Sequence, residues 1–180
     1  MKDEIIYWGK KVVQANLCTS FFGNISCKVE DKIFITKTET MLDELTVDDI
    51  VEVYLDRKSD NDKVASSELI VHREIYKKTN FKRIVHTHSQ YSTLMDSNNC
   101  YVSFDDKEAL FFLKKVPIVS GKSGTESLAK NVAEGLFENC IVIVKNHGIF
   151  CAADSFKSCF IYLTALEHYS KDKYLRELKR

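Results

Sequence analysis

Two histidines one residue apart, His86 and His88, stand at the end of a short apolar run. Because side chains alternate between the faces of a strand, histidines at this spacing project from the same side and can bind one ion. A second run, residues 141–146, begins with four apolar residues and is followed by His147. Three imidazoles leave the fourth position of a tetrahedral Zn²⁺ open, as in catalytic zinc sites. We therefore predict a metal-dependent enzyme with one Zn²⁺ per chain, or another divalent metal, bound by His86, His88 and His147.

The segment Ser66-Ser67-Glu68 precedes a stretch of helical periodicity. We place the two serines at the N-cap of that helix, where free backbone N–H groups and hydroxyls suit a phosphate oxyanion. Glu68 lies in the same first turn, so one short segment can hold a phosphate and present a carboxylate. The alternative is an ordinary capped helix in which Glu68 only complements the helix dipole.

Gly23 and Asn24 lie between the first predicted helix and the first predicted strand. A Gly-Asn pair at such a junction can direct backbone N–H groups and a side-chain amide toward an anion. The alternative is a simple turn without a ligand. The sequence thus offers two separate segments for one anion pocket.

The composition predicts one cytoplasmic domain spanning residues 1–180, since 44% of the residues are hydrophobic and a chain of this length can bury a proper core. The 26 basic and 26 acidic residues cancel, and no basic cluster is dense enough for a nucleic-acid partner. The charged N-terminus does not resemble a signal peptide, and no apolar run is long enough to cross a membrane. The six cysteines form no CxxC pair, and we expect them to be reduced.

Helical and strand patterns alternate along the chain. The predicted helices cover residues 3–17, 66–78, 90–96, 106–113, 126–137 and 155–178. The predicted strands cover residues 25–29, 32–36, 50–55, 83–89, 118–119, 141–146 and 149–152. Because short hairpins imply much antiparallel pairing, we predict an α/β fold, a three-layer α-β-α sandwich with a central, largely antiparallel sheet.

Several short motifs follow one another along nearly the whole chain. They are GNIS at 23–26, ITKT at 35–38, DDIVEV at 48–53, SSE at 66–68, HTH at 86–88, SGTESLA at 123–129 and KNHGIF at 145–150. Each motif alone is unspecific, but in this order they resemble the class II aldolase/adducin family. The length and the segment DKEALFFLKKVPIV look most like the short archaeal-type fuculose-phosphate aldolases of that family.

The resemblance implies a role for each motif. His86, His88 and His147 would bind Zn²⁺, and Glu68 would be the catalytic acid/base that moves the proton on the carbon next to the substrate carbonyl. The residues that would hold the substrate phosphate are Gly23, Asn24, Thr38, Ser66 and Ser67. The expected reaction is cleavage of a ketose 1-phosphate, L-fuculose 1-phosphate above all, to dihydroxyacetone phosphate and an aldehyde such as lactaldehyde. The family also implies a homo-oligomer, usually a tetramer.

Three alternatives stay open within the resemblance. Sugar-phosphate 4-epimerases and methylthioribulose-1-phosphate dehydratases of the family share the three histidines. Epimerases tend to carry Asp in place of Glu68, which argues against that activity. The third alternative is a non-catalytic, adducin-like interaction module, although such a module would not need the histidines and Glu68.

Two residues depart from the family pattern. Glu39 stands where a glycine usually follows the phosphate-loop Thr38, and Ala65 replaces a frequent proline. We expect Glu39 to point outward, since an inward carboxylate would repel a phosphate dianion. His72, four residues after Glu68 on the same helix face, is interpreted as a structural or exposed side chain, and a supporting role beside the site is the alternative.

Overall fold

The computed structural model describes residues 1–95 and 99–179, and within these ranges it contains five α-helices and eight β-strands. The helices are α1 (Lys2–Gln14), α2 (Leu69–Lys78), α3 (Lys107–Leu113), α4 (Glu126–Gly135) and α5 (Phe156–Glu177). The strands are β1 (Asn24–Val29), β2 (Lys32–Thr36), β3 (Ile50–Tyr54), β4 (Arg83–Thr87), β5 (Tyr101–Val102), β6 (Val116–Val119), β7 (Ile141–Val144) and β8 (Gly148–Ala153). Across the described ranges, no helix combines the length and the apolar character needed to cross a bilayer.

The eight strands form one sheet in the order β3-β2-β1-β4-β8-β7-β6-β5. Neighbouring strands are antiparallel, except β6 and β7, which run parallel with Ile118 opposite Ile143. The predicted, largely antiparallel sheet is therefore confirmed. This order places β4 between β1 and β8, so the histidine motif on β4 has the Gly-Asn motif on one side and the strand after His147 on the other.

The two faces of the sheet carry separate hydrophobic clusters, because residues alternate faces along each strand. Ile141 and Ile143 of β7 pack in the cluster that includes α1, α3 and α5. Val142 and Val144 pack in the cluster that includes α2 and α4, together with Ile84 of β4. Helices thus cover both faces, which confirms the three-layer α-β-α sandwich.

Side chains set where several helices begin. Asp106 at α3, Thr125 at α4 and Ser155 at α5 each accept a hydrogen bond from the first turn. Such caps satisfy backbone N–H groups that have no partner inside the helix. The N-cap of α2 is Glu68, whose side chain makes no capping hydrogen bond. The Glu68 carboxylate at this helix start is left for other contacts.

The structure corrects the predicted start of α2. Ser66 and Ser67 were expected at the N-cap, but they form the turn that precedes it. In this turn, Ser66 Oγ accepts from the Glu68 N–H at 3.3 Å and Ser66 O accepts from the Leu69 N–H at 2.9 Å. Ser66 therefore makes an N-cap type of contact to a turn that leads into the helix, and the N-cap of the regular helix follows two residues later at Glu68.

The predicted helix over residues 90–96 is also wrong. The structure has a single 3₁₀ turn at Ser92–Leu94, and the last residue of the prediction, Asp96, lies outside the described residues. Ser92 donates its N–H and its hydroxyl to the Glu167 carboxylate on α5, at 2.9 and 2.6 Å. Glu167 thus satisfies N–H groups at the start of the turn, which have no partner within a helix. The Leu94 and Met95 N–H groups donate to carbonyl oxygens three residues back, as in a 3₁₀ turn. The extended backbone of Met95, with a ψ of 143°, then ends the turn.

Candidate active site

Three imidazoles meet where the end of β4 and the turn between β7 and β8 reach the same edge of the sheet. His86 is in β4, His88 follows β4 directly, and His147 occupies the β7–β8 turn. One ring nitrogen from each side chain lies within 4.8 Å of the others. Within the described part of the chain, this is the one group of three or more histidine, cysteine and carboxylate side chains close enough to share a metal ion. Small side-chain rotations would bring all three nitrogens onto one ion.

The buried ring of His86 is held in one tautomer. Its Nδ1–H donates to Ile149 O at 2.9 Å, which leaves Nε2 as an acceptor. That Nε2 atom and Nδ1 of His147 are buried and have no hydrogen-bond partner among the described residues. Buried polar atoms are normally paired, so unpaired nitrogen atoms on two rings of this cluster fit a bound cation.

Burial keeps the imidazoles of His86 and His88 neutral. It is the main cause that lowers the pKa of His86 well below its ordinary value, with His88 and His147 adding to it. Burial, followed by the neighbouring His147, lowers the pKa of His88 to about 4. Because a neutral imidazole is the form that binds a metal, both side chains have the required protonation state at neutral pH.

Two glycines allow neighbouring strands to approach His86 closely. A Cβ atom at Gly148 would clash with Thr87 O and would lie 2.9 Å from His86 Cε1. Gly23 has a φ of 95°, and a Cβ atom there would lie 2.6 Å from His86 O. A side chain at either position would push β8 or β1 away from β4. Gly23, which is predicted to bind phosphate, is therefore also needed so that the chain can pass close to the backbone of His86.

The Glu68 carboxylate is buried and held through one oxygen. Its residue is 3% exposed, and Oε1 accepts a hydrogen bond from the Ser123 hydroxyl. Oε2 is buried without a partner in the part of the chain that the structure describes. Glu68 is not one of the side chains in the 4.8 Å histidine cluster. The carboxylate is thus fixed in orientation, while one oxygen stays available for chemistry.

The segments predicted to hold a phosphate lie side by side. Ser66 N–H donates to Thr36 O and Thr38 N–H donates to Val64 O, both at 3.0 Å, so the loop after β2 runs along the turn before α2. Asn24 begins the adjacent strand β1. The structure therefore brings together three pieces of chain that are distant in sequence.

The polar side chains of these segments differ in exposure. Asn24 and Ser66 are buried, whereas Thr38 and Ser67 are exposed. Glu39 is also exposed, and its φ of 60° lies in the left-handed region that favours glycine. The glycine that the family usually has at this position would adopt this φ without strain, and this chain has Glu39 there instead.

Two residues that contact the site carry little signal in the sequence. His72, interpreted as structural or exposed, is fully buried, and its Nε2 lies 2.6 Å from Asn24 Oδ1. The feature of the sequence that could have indicated its place is its position four residues after Glu68, on the same face of the helix. Ser123 is 55 residues from Glu68, and no local spacing connects residues so far apart.

The chain matches the family described as Class II Aldolase and Adducin N-terminal domain over residues 3–173, and it belongs to that family. It is similar to an L-fuculose phosphate aldolase of Methanocaldococcus jannaschii, with 33% identity over 172 residues, 94% of this chain and 93% of the relative. It is 27% identical over 171 residues to a 5-deoxy-D-ribulose 1-phosphate aldolase of Bacillus thuringiensis, covering 92% of this chain and 80% of the relative. Among solved structures, an L-fuculose-1-phosphate aldolase of Thermus thermophilus superposes with a TM-score of 0.90 at 26% identity, covering 98% of this chain and 93% of that one. The resemblance in the motifs is confirmed.

Proposed function

We propose that this protein is a divalent-metal-dependent aldolase that cleaves a ketose 1-phosphate, with L-fuculose 1-phosphate as the first substrate to test. The products would be dihydroxyacetone phosphate and lactaldehyde. Convergence of His86, His88 and His147 at one point carries this proposal. It is supported by the buried carboxylate of Glu68 and by relatives named as aldolases of L-fuculose phosphate and 5-deoxy-D-ribulose 1-phosphate.

His86, His88 and His147 would hold the metal ion, for which we propose Zn²⁺. Neutral imidazole nitrogens suit zinc and leave a coordination position open to substrate. When bound, the ion supplies a Lewis acid for the negative charge that develops on the carbonyl oxygen during cleavage. With that charge stabilised, the reaction needs no lysine to form a Schiff base.

Glu68 moves the proton at the carbon next to the carbonyl. Cleavage of the carbon–carbon bond leaves an electron pair on that carbon, which must receive a proton before dihydroxyacetone phosphate can leave. Ser123 holds Oε1 of Glu68, so Oε2, which has no partner among the described residues, carries the proton. A positioned acid/base of this kind contributes about 100- to 10,000-fold to the rate.

The substrate phosphate would bind in the pocket formed by the loop after β2, the turn before α2 and the start of β1. The residues proposed to line it are Gly23, Asn24, Thr38, Ser66 and Ser67. Hydrogen bonds to a charged group contribute about 1.5–3 kcal/mol each. Phosphorylated ketoses should therefore be turned over far better than their unphosphorylated parents.

We also propose that the chain acts as a single domain in a cytoplasmic homo-oligomer, a tetramer by analogy with the family. A pair of aromatic side chains on α3 supports the oligomer, since Phe111 is 79% exposed and Phe112 is 41% exposed, with their ring centroids 5.0 Å apart. Apolar surface of this kind is typical of contacts between subunits. Light scattering on the purified protein would measure the mass, and a monomer would contradict this part of the proposal.

The proposed activity is tested by incubating the purified, Zn²⁺-loaded protein with a panel of ketose 1-phosphates and 5-phosphates and identifying products by mass. We expect dihydroxyacetone phosphate and lactaldehyde from L-fuculose 1-phosphate. Selective cleavage of 5-deoxy-D-ribulose 1-phosphate would show that the protein is an aldolase with that compound as its substrate. Conversion of a 5-phosphate without carbon–carbon cleavage would favour an epimerase, and loss of water from methylthioribulose 1-phosphate would favour a dehydratase. No turnover of any substrate would favour the adducin-like module.

Glu68→Gln tests whether Glu68 moves the proton, and Glu138→Gln is the matched control. The amide is nearly isosteric with the carboxylate but cannot move the proton, so the variant should keep its fold and metal and lose about 100- to 10,000-fold in kcat. Glu138→Gln, an exposed carboxylate between α4 and β7, should keep full activity. Near-normal turnover by Glu68→Gln would mean that another residue moves the proton.

A further inference from the structure

A buried chain of hydrogen bonds ends at the side-chain amide of Asn24. Asn24 and Ser26 are two residues apart on β1, so they project from the same face and flank the imidazole of His72 on α2. His72 Nε2 lies 2.6 Å from Asn24 Oδ1, and Nδ1 lies 2.6 Å from Ser26 Oγ. The hydroxyl of Tyr76, one helical turn after His72, lies 2.8 Å from the same Ser26 Oγ. Both ring nitrogens of His72 are therefore occupied.

The direction of each hydrogen bond follows from the protonation states. Burial lowers the pKa of His72 to about 3, so the neutral ring has one N–H. Asn24 Oδ1 can only accept, so this N–H is on Nε2, and Nδ1 accepts from the Ser26 hydroxyl. Burial raises the pKa of Tyr76 well above its ordinary value, so its hydroxyl keeps its proton. Tyr76 therefore donates to Ser26 Oγ.

The opposite orientation of the Asn24 amide would leave one proton without an acceptor. In that arrangement Asn24 Nδ2 would donate to His72, His72 to Ser26, and Ser26 to Tyr76. Within the described part of the chain, Ser26 is the hydrogen-bond partner of the Tyr76 hydroxyl, so the proton of that hydroxyl would be buried and unpaired, which is costly. The network thus keeps Oδ1 of Asn24 toward His72 and directs its NH₂ group away.

We propose that His72 is a positioning residue for substrate binding, which with Ser26 and Tyr76 holds the Asn24 amide so that its NH₂ group donates to the substrate phosphate. This role rests on the phosphate pocket of the proposed function. A reversed amide would present an oxygen lone pair to the anion and turn an attractive contact into a repulsive one. The NH₂ group has no hydrogen-bond partner in the residues that the structure describes, so it is available to an anion.

The position of His72 on α2 links the phosphate pocket to the proposed acid/base. The backbone N–H of His72 donates to Glu68 O at 3.1 Å, which makes the two residues neighbours on successive turns. One turn of α2 therefore carries both the group that moves the proton and the group that orients the phosphate ligand. A shift of this turn would alter both functions together.

Two substitutions separate positioning from simple packing. His72→Met removes the donor and fills a similar volume, whereas His72→Gln keeps one donor and one acceptor. Binding of inorganic phosphate to the metal-loaded protein is measured by titration calorimetry. We expect His72→Met to weaken phosphate binding about 10-fold and to raise the KM of the ketose phosphate by a similar factor with little change in kcat. His72→Gln should restore most of the affinity, and metal content should be unchanged in both variants.

Asn24→Ala and the double variant with His72→Met complete a double-mutant cycle. Because His72 acts through Asn24, His72→Met should have no further effect on phosphate affinity in the Asn24→Ala protein. If His72→Met does not fold, Ser26→Ala gives the same test, since it removes the donor that fixes the tautomer of His72. An equal loss in both backgrounds, or no loss in His72→Met while Asn24→Ala binds weakly, would overturn the role of His72 alone. Unchanged phosphate affinity in Asn24→Ala would overturn the phosphate pocket of the proposed function, and the role of His72 with it.

Discussion

The imidazole of His86 stacks on the ring of Phe150, with the centroids 4.0 Å apart and an angle of 15° between the planes. The two residues are directly opposite each other on β4 and β8. The stack and the hydrogen bond from His86 Nδ1 to Ile149 O fix the ring at its face and at its edge. His86 is therefore oriented before an ion binds, as partners around metal-binding histidines generally ensure.

Replacing Phe150 with Leu should weaken metal binding about 10-fold, because His86 loses its stacking partner while all three imidazoles remain. Competition with a coloured chelator measures the affinity. Phe156→Leu is the matched control, since Phe156 is also buried but packs in the cluster on the other face of the sheet. The control should lose stability and keep its metal affinity. Equal losses of affinity in both variants would indicate general destabilisation instead of ring orientation.

Ser123→Ala should lower kcat about 10- to 100-fold, because a hydrogen bond to a charged group contributes about 1.5–3 kcal/mol. The Ser123 hydroxyl holds one carboxylate oxygen of Glu68, and its loss leaves the carboxylate free to rotate. The KM should change little, since the phosphate pocket is intact. Ser120→Ala changes an exposed serine of the same segment and should have normal steady-state kinetics. A normal kcat in Ser123→Ala would show that Glu68 does not depend on this contact.

Glu39→Gly should stabilise the protein by about 0.5–1 kcal/mol. The left-handed conformation strains a residue that has a Cβ atom, and glycine relieves this strain. Glycine loses more conformational freedom on folding, but this loss is smaller than the strain that is relieved. The φ of Glu39 is 60°. Removing its charge should also lower the KM for phosphorylated substrate. Thermal unfolding measures the stability, with Glu44→Gly as an exposed control that should not stabilise. A less stable Glu39→Gly protein would contradict the backbone explanation.

The free energy of unfolding should fall as the pH is lowered below 6.5. Burial lowers the pKa of His72 from 6.5 to about 3 in the folded protein. Between these values the unfolded chain binds a proton that the folded chain does not, so stability rises with pH across this window. One such group contributes a slope of about 1.4 kcal/mol per pH unit. His72→Gln should have a slope shallower by one proton in denaturant unfolding between about pH 6 and pH 4. Parallel curves for the two proteins would show that His72 is not a neutral buried group.

The histidine cluster was predictable from the sequence because its signals are local. His86 and His88 share a strand face, and the two apolar runs that lead to His88 and His147 identify strands of one sheet. The layer architecture was predictable for the same reason, since short hairpins imply antiparallel pairing. The metal ligands and the fold could therefore be predicted, because they depend on residues that are close in sequence or lie on strands with clear patterns.

The contacts that orient the site depend on how distant elements pack. His72 reaches Asn24 across 48 positions, and that contact exists because α2 lies over β1. Ser92 likewise donates its N–H and its hydroxyl to Glu167 on α5, 75 positions away. Local propensity carries no information about such tertiary partners.

A Zn²⁺ titration of the metal-free protein, followed by the release of dihydroxyacetone phosphate from L-fuculose 1-phosphate, tests the proposed chemistry most directly. The rate should be near zero without metal and should reach a plateau at one ion per chain. His168→Ala, which changes an exposed histidine, should follow the same curve, whereas His88→Ala should show no such plateau. Full-rate cleavage by the metal-free protein, or an unchanged curve for His88→Ala, would contradict a catalytic metal held by His86, His88 and His147.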